Sequence, residues 1–510
     1  MSGARSRTGN LRILAAALLC GSASAIADSA QAVVVISAAA TANMSCVKDN
    51  CQPTKTNAVL NVTQLQNMLA SGNVKVTTGS AKLAPLVKDI DVRAGLTWTS
   101  ANGLTLDAYH SIVAQSPISV AGTGPLTLKY NDGDTSGDLS FHAKGKVTFF
   151  GTTNALTING KAYKLFNSIP ALAKAITKNP SGLFALSKQY DFKTTHTGSP
   201  IPGELFGTVE GLGNAVRFMG ITGPANTSLG LFAEVGNSGV VRDIGLVNAQ
   251  VQGSGGSSDG SLIAYNAGTI DNAWSTNATI YDIGALNVGG LVGLNSGTIE
   301  NSWASGCGAT ANNTAGGLVG ENDGNIFNSY VADGYAFANI AAAGGLVGFN
   351  DGLIETGWST ATATGPIAGG LVGSNAGGTV EIAYARGQVS GESSGSTVGA
   401  GGLVGVYNGG FINVAYSTGM VTGAAGEYVG GLIGNVERAD TPTTTYWDLD
   451  TSGVSNPSLG AGNTTNESGI TGLSTSQFQS GLPGGFSSAV WAQNATLNGG
   501  YPYLTSVPPK

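Results

Sequence analysis

From Gly289 onward one short phrase keeps returning: Gly-Gly-Leu-Val-Gly, one residue, Asn, one residue, Gly. It stands at 289–293, 316–320, 344–348, 369–373 and 401–405, and as GGLIG at 430–434. Weaker copies are GSLIA at 260–264 and LGLFA at 229–233. Successive copies begin 25 to 32 residues apart. A period in this range marks stacked units, each touching only its neighbours, and this frees a chain of 510 residues from the size limit of a single compact core. The intervals vary while the phrase does not, which places the insertions in loops.

Within a unit, such as 289–305, the Asn-x-Gly step (Asn295 to Gly297) predicts a turn, because Asn and Gly tolerate positive φ. A strand follows. It opens on an apolar residue (Ile270, Ile299, Ile326, Ile354, Val380, Ile412), and an aromatic stands four residues later: Trp274, Trp303, Tyr330, Trp358, Tyr384, Tyr416. A spacing of four keeps two residues on one face of a strand. Stacked at about 4.8 Å, like residues fall over like residues. Leu291, Leu318, Leu346, Leu371 and Leu403 then form one internal ladder, and the aromatics are expected to form a second. An outward aromatic stripe would instead be a sugar-binding platform, but the face shared with Ile argues for core.

Earlier, short runs such as LTWTS (96–100), LTLDA (104–108) and KVTFF (146–150) alternate apolar and polar residues and read as successive strands. Residues 61–69 read as a helix with Val62, Leu65 and Leu69 on one face. Ser168 is placed to cap a second helix, with Pro170 just inside its start. Ser474 to Gln477 has the pattern of a capping box. The expected organisation is a signal peptide at 1–27, a β-rich region at 28–165, a helix and lead-in strands at 166–228, the repeats at 229–439, and a C-terminal cap at 440–510. In that cap Trp491, Tyr501, Tyr503 and Leu504 would cover the last rung.

Arg5, Arg7 and Arg12, the apolar run Ile13–Cys20 and the small residues Ala23 and Ala25 have the pattern of a secretory signal. That run is well short of the roughly 20 residues needed to span a membrane, so no transmembrane segment is expected after cleavage. Cys46 and Cys51 are a disulfide candidate in an oxidising compartment; Cys307 is left as a free thiol. Residues 28–200 carry a net charge of +6 and residues 201–510 one of −16. Phosphate binding needs clustered Lys and Arg, so the repeat half is no nucleic-acid binder.

The phrase GGLVG-x-N-x-G-x-I-x3-[WY]-S resembles the GLUG repeat of bacterial surface proteins and large exoproteins, of the filamentous-haemagglutinin-like and autotransporter-adhesin type. The match covers about 229–435. YWDLDTSG (446–453), TGLSTSQF (471–478) and GYPYL (500–504) are similar to the segment that follows such arrays. The resemblance implies an all-β, right-handed parallel β-helix (β-solenoid) with a few short helices, secreted or held on the outer cell surface. It brings no catalytic residues.

Other β-helices are polysaccharide lyases or glycosidases, so an enzyme is the alternative. Glycoside hydrolysis uses two facing carboxylates. Asp271, Glu300, Glu355 and Glu381 recur at one strand position and read as solvated residues, one per rung. Between 243 and 437 the only Lys or Arg is Arg386. The three His residues (His110, His142, His196) form no HExxH. Asp132–Gly137 and Asp448–Gly453 begin like calcium loops but lack the acidic residue at position 12, where Ala143 and Leu459 stand. The expectation is a protein without catalysis, cofactor or metal, with a host-surface or matrix protein or a polysaccharide as partner.

Overall fold

The computed structural model describes residues 32–79, 87–133, 136–392, 398–438 and 440–509. The segment read as a signal, 1–27, lies outside them. The chain winds into a parallel β-solenoid of about 15 turns. Among the described residues there are three α-helices: α1 (Val62–Ser71), α2 (Ile169–Lys178) and α3 (Thr475–Gln479).

Two cores lie along the chain, and the coils around them are called the first and the second solenoid. The first is enclosed by parallel sheets, one of which runs from Ala58–Asn61 to Leu139–Phe141. Its open end is closed by α1, which turns Val62, Leu65 and Leu69 inward after Asn61 accepts the Gln64 amide at 3.1 Å. Beside it, Met44–Val47 pairs antiparallel with Asn50–Pro53, and the Cys46–Cys51 disulfide closes that hairpin. The second core starts at α2. Its expected Ser168 cap makes no side-chain bond; burial of Ile169, Leu172, Ala173 and Ile176 holds the helix instead.

The cores meet at a shared wall. Leu156–Ile158 pairs antiparallel with Lys161–Phe166, and strand direction reverses there. Lys161–Phe166, Leu183–Leu186 and Thr208–Arg217 then run parallel. Along Leu183–Leu186 the side chains alternate, with Phe184 and Leu186 in the second core and Ala185 in the first.

Each turn of the repeat half crosses three sheets. A strand ending in the first Gly of the phrase (Asn287–Gly289) belongs to a seven-stranded sheet, and the Val-Gly-x-Asn strand (Val292–Asn295) to an eight-stranded one. The third sheet carries Thr298–Glu300 and Trp303–Ala311. The corner between the first two is tight: a Cβ on Gly316 would sit 1.8 Å from the Val319 carbonyl oxygen. The expected Leu ladder is present. Leu291, Leu318, Leu346, Leu371 and Leu403 are fully buried, and each donates its amide to the carbonyl of the next Leu at 2.8–2.9 Å.

The Asn-x-Gly step is the expected bend, carrying the chain from the eight-stranded sheet to the third, but its Asn does not supply a positive φ and has a further role. Asn266, Asn295, Asn322, Asn350 and Asn375 are not among the residues at positive φ. They are fully buried and aligned in register. Each donates its side-chain amide to the amide oxygen of the next, at 2.7–2.8 Å. The bend thus also carries a hydrogen-bonded column inside the rod.

The aromatic ladder also departs from expectation. Trp274, Trp303, Tyr330, Trp358, Tyr384 and Tyr416 stack in register, but on the outer face of the third sheet. The reason is the residue two before each: Asn272, Asn301, Asn328, Thr356, Ile382 and Val414 all have φ between 46° and 56°. One left-handed residue shifts the alternation by a position, which exchanges the two faces. Hence Ile299 points in, Ser302 and Ala304 are fully buried, and Trp303 lies outside.

The C-terminal region runs along a side instead of only closing the end. Thr443–Asp448 and Ile470–Leu473 continue the third sheet. From α3 on, the chain folds back over the outer aromatics, because those rings present a large apolar surface that needs cover. We call residues 474–509 the strap. Trp358 donates to the Val507 carbonyl at 2.7 Å and Tyr416 to that of Pro502 at 2.5 Å.

Asn322→Ala is expected to cost about 2 kcal/mol, because it strips the buried Asn295 amide and Asn350 oxygen of a partner. A urea titration unchanged from wild type would remove the column from the list of stabilising features.

Candidate binding groove

Above the strap the outer aromatics remain accessible. Trp358, Tyr384 and Tyr416 are 2%, 0% and 0% exposed and Tyr330 is 6%, while Trp274 and Trp303 are only half-buried. They floor a groove of about 960 Å³. One wall is the segment 138–145 at the end of the first solenoid, with Asp138 and His142; the other is the tail Ser506–Pro509.

The floor is regular. The Trp274 and Trp303 ring centroids are 6.2 Å apart and those of Trp303 and Tyr330 6.0 Å, with interplanar angles of 13° and 7°. The Trp274 ring lies on Gly245, where a Cβ would come within 2.1 Å of it. Beside the rings run the left-handed residues Asn272, Asn301 and Asn328. Beside those, on the same outer face, run Asp271 and Glu300, in register with each other. The carboxylate column expected to be merely solvated is therefore a neighbour of the aromatic column. Asn301 donates to Asp271 at 3.0 Å, and Asn272 donates to buried Asp243. Further down, the left-handed position becomes apolar: Ile382 and Val414 pack under the strap.

The charges behind the groove are strongly shaped by burial. Arg242 donates to Glu210 at 2.7 Å and to the Tyr130 hydroxyl at 3.2 Å, joining the second solenoid to the first. Burial works against its charge, and Glu210 together with Tyr130, Asp243 and Tyr163 more than compensates. The Asp138 carboxyl is pushed up to about 6, first by burial and then by Asp271. Asp271 and Glu300 are raised as well, chiefly by burial.

A second acidic pair lies at another corner. Asp282 accepts the amides of Gly255, Gly256 and Gly284 at 2.8–3.2 Å, and Asp259 accepts that of Leu229 at 2.8 Å. Burial, reinforced by Asp282, pushes Asp259 up to about 8. The surrounding amide donors suit an acid–carboxylate pair and not a cation. No group of three or more metal-ligating side chains occurs among the described residues. At the calcium-like turn Asp448 accepts from the Asp450 amide, Thr475 and Tyr501, which docks the strap. Cys46 and Cys51 lie at the far end of the first solenoid, and Cys307 is buried in the second core.

Of the residues at the groove, the sequence pattern singles out the rings, which it assigns to the core, and Asp271 and Glu300, which it reads as solvated; it does not single out Asp138, Asn272, Asn301 or the tail. The small residue before every aromatic was the available signal, since it is the one that faces inward. No helix among the described residues is long and apolar enough to cross a membrane. In comparisons with known proteins, no family model matches the chain, and neither the curated proteins nor the solved structures yield a match.

Trp358→Ala should cost about 3–5 kcal/mol, and Trp274→Ala roughly 1 kcal/mol or less, because only the first ring is sealed under the strap; equal losses in denaturant titrations would contradict this assignment. A carboxyl raised in the folded state stabilises when protonated. The Asp259 contribution is thus full below the ordinary 3.8 and is lost as pH rises through about 8. Asp259→Asn should flatten the decline in melting temperature across that window, and an unaltered pH profile would exclude Asp259 as its source.

Proposed function

We propose that this chain is a secreted or cell-surface β-solenoid protein, adhesin-like or structural, that binds an extracellular ligand without catalysis. The observation that carries this reading is the groove, where aromatic rings and polar side chains lie in columns on a rigid sheet, one set per rung. Rigid repetition of this kind suits recognition of an extended partner, a host-surface or matrix protein or a polysaccharide. The resemblance to GLUG-repeat exoproteins and the Cys46–Cys51 disulfide support export to an oxidising compartment.

A second reading is a glycosidase, favoured by one observation. Asp138, raised to about 6, shares the groove's charge environment with Asp271 and Glu300, as an acid facing carboxylates would. Incubating the purified protein with a panel of polysaccharides separates the two. The binding reading expects retention on one of them and no release of reducing ends. Release that disappears in Asp138→Asn would establish the enzyme instead.

A further inference from the structure

We infer that the groove holds a linear glycan bearing free amino groups, laid along the solenoid axis over Trp274 and Trp303. The inference rests on the reading of the protein as a binder and names the chemistry of its ligand.

Three observations carry it. The first is repetition. Asp271, Asn272 and Trp274 on one rung are matched by Glu300, Asn301 and Trp303 on the next, in register. A carboxylate, an amide and a ring thus recur at rung spacing, which fits a polymer of repeating polar units better than a compact ligand. The second is surface chemistry. Aromatic rings beside hydrogen-bonding amides contact the apolar faces and hydroxyls of sugar rings. The amide column is confined to the open part of the outer face and gives way to Ile382 and Val414 where the strap covers it.

The third is charge. Asp138 in the wall lies close enough to Asp271, and Glu300 to both, for the charges to be felt between them, and Asp271 and Glu300 stand in register beside the floor. The cationic groups nearby are few: Arg242 is bound to Glu210 and Tyr130, while His142 and the exposed Lys144 stand in the wall segment, against three carboxylates. An ammonium group entering here meets carboxylates and ring faces together, and both attract it. A uronate or sulfate would instead place like charges together in a partly desolvated groove. The tail residues Pro508 and Pro509 already line this groove, so a proline-rich peptide is the competing occupant to be tested.

The experiment is calorimetric titration of the full chain with short β-linked oligomers of glucosamine, N-acetylglucosamine and mannuronate, and with a proline-rich peptide. Wild type, Trp274→Ala and Glu300→Gln are compared after their melting curves have been checked against each other. The glucosamine oligomer should bind best. Trp274→Ala should weaken it roughly tenfold or more and Glu300→Gln at least about threefold, with affinity falling as salt rises. No binding of that oligomer, binding indifferent to both substitutions, or tighter binding of the acetylated, anionic or peptide ligand would overturn the inference. Cleavage of the bound oligomer would defeat the non-catalytic reading and leave this one standing. Binding outside the groove would do the reverse.

Discussion

The buried column of Asn side chains governs the rest of the repeat half. A primary amide sealed in an apolar interior must find partners; here Asn295, Asn322 and Asn350 each find the amides of the rungs on both sides, and Asn375 at the end donates to the Gly378 and Gly409 carbonyls. Slippage between rungs would leave several such groups unsatisfied at once. The column therefore fixes a register with no drift, and every other column inherits it. Leu stacks on Leu within the rod, and ring stacks on ring outside. At Tyr407 the column ends, and the phenol turns instead to the Gly410 carbonyl at 2.6 Å.

The outer face is organised by one backbone residue per turn in the left-handed region. Asn accepts that conformation readily, whereas Ile382 and Val414 are β-branched and pay a steric cost for it. The apolar side chains at those two positions lie beneath the strap. Burial against Phe478, Trp491 and their neighbours offsets the strain. One column thus reports which part of the face is covered and which is open.

Much of the architecture was legible in the chain. The GGLVG phrase marked the rungs, and its Leu was rightly placed inside. The face of the aromatics was misread because a period of two assumes unbroken extended backbone, and a single left-handed residue such as Asn301 interrupts it without disturbing the spacing. Asn295 does open a bend, as its type predicts, but its pairing along the rod is invisible in the sequence, since its propensity is the same with or without that pairing. The groove itself was beyond reach. It joins Asp138, Trp274 and Pro509, residues that come together only because the first solenoid abuts the outer wall of the second and the strap returns along it.

That arrangement makes the groove a ruler. Its upper limit is set by the joint at Phe184–Leu186, whose side chains enter both cores and hold the first solenoid in place. Its lower limit is set by the strap, anchored near the last rungs through Arg386, Tyr416 and Asp448. Rungs gained or lost between these anchors would lengthen or shorten the open stretch while leaving each rung intact. A lineage could thus retune the length of partner it accepts by counting repeats, with no change to any contacting residue.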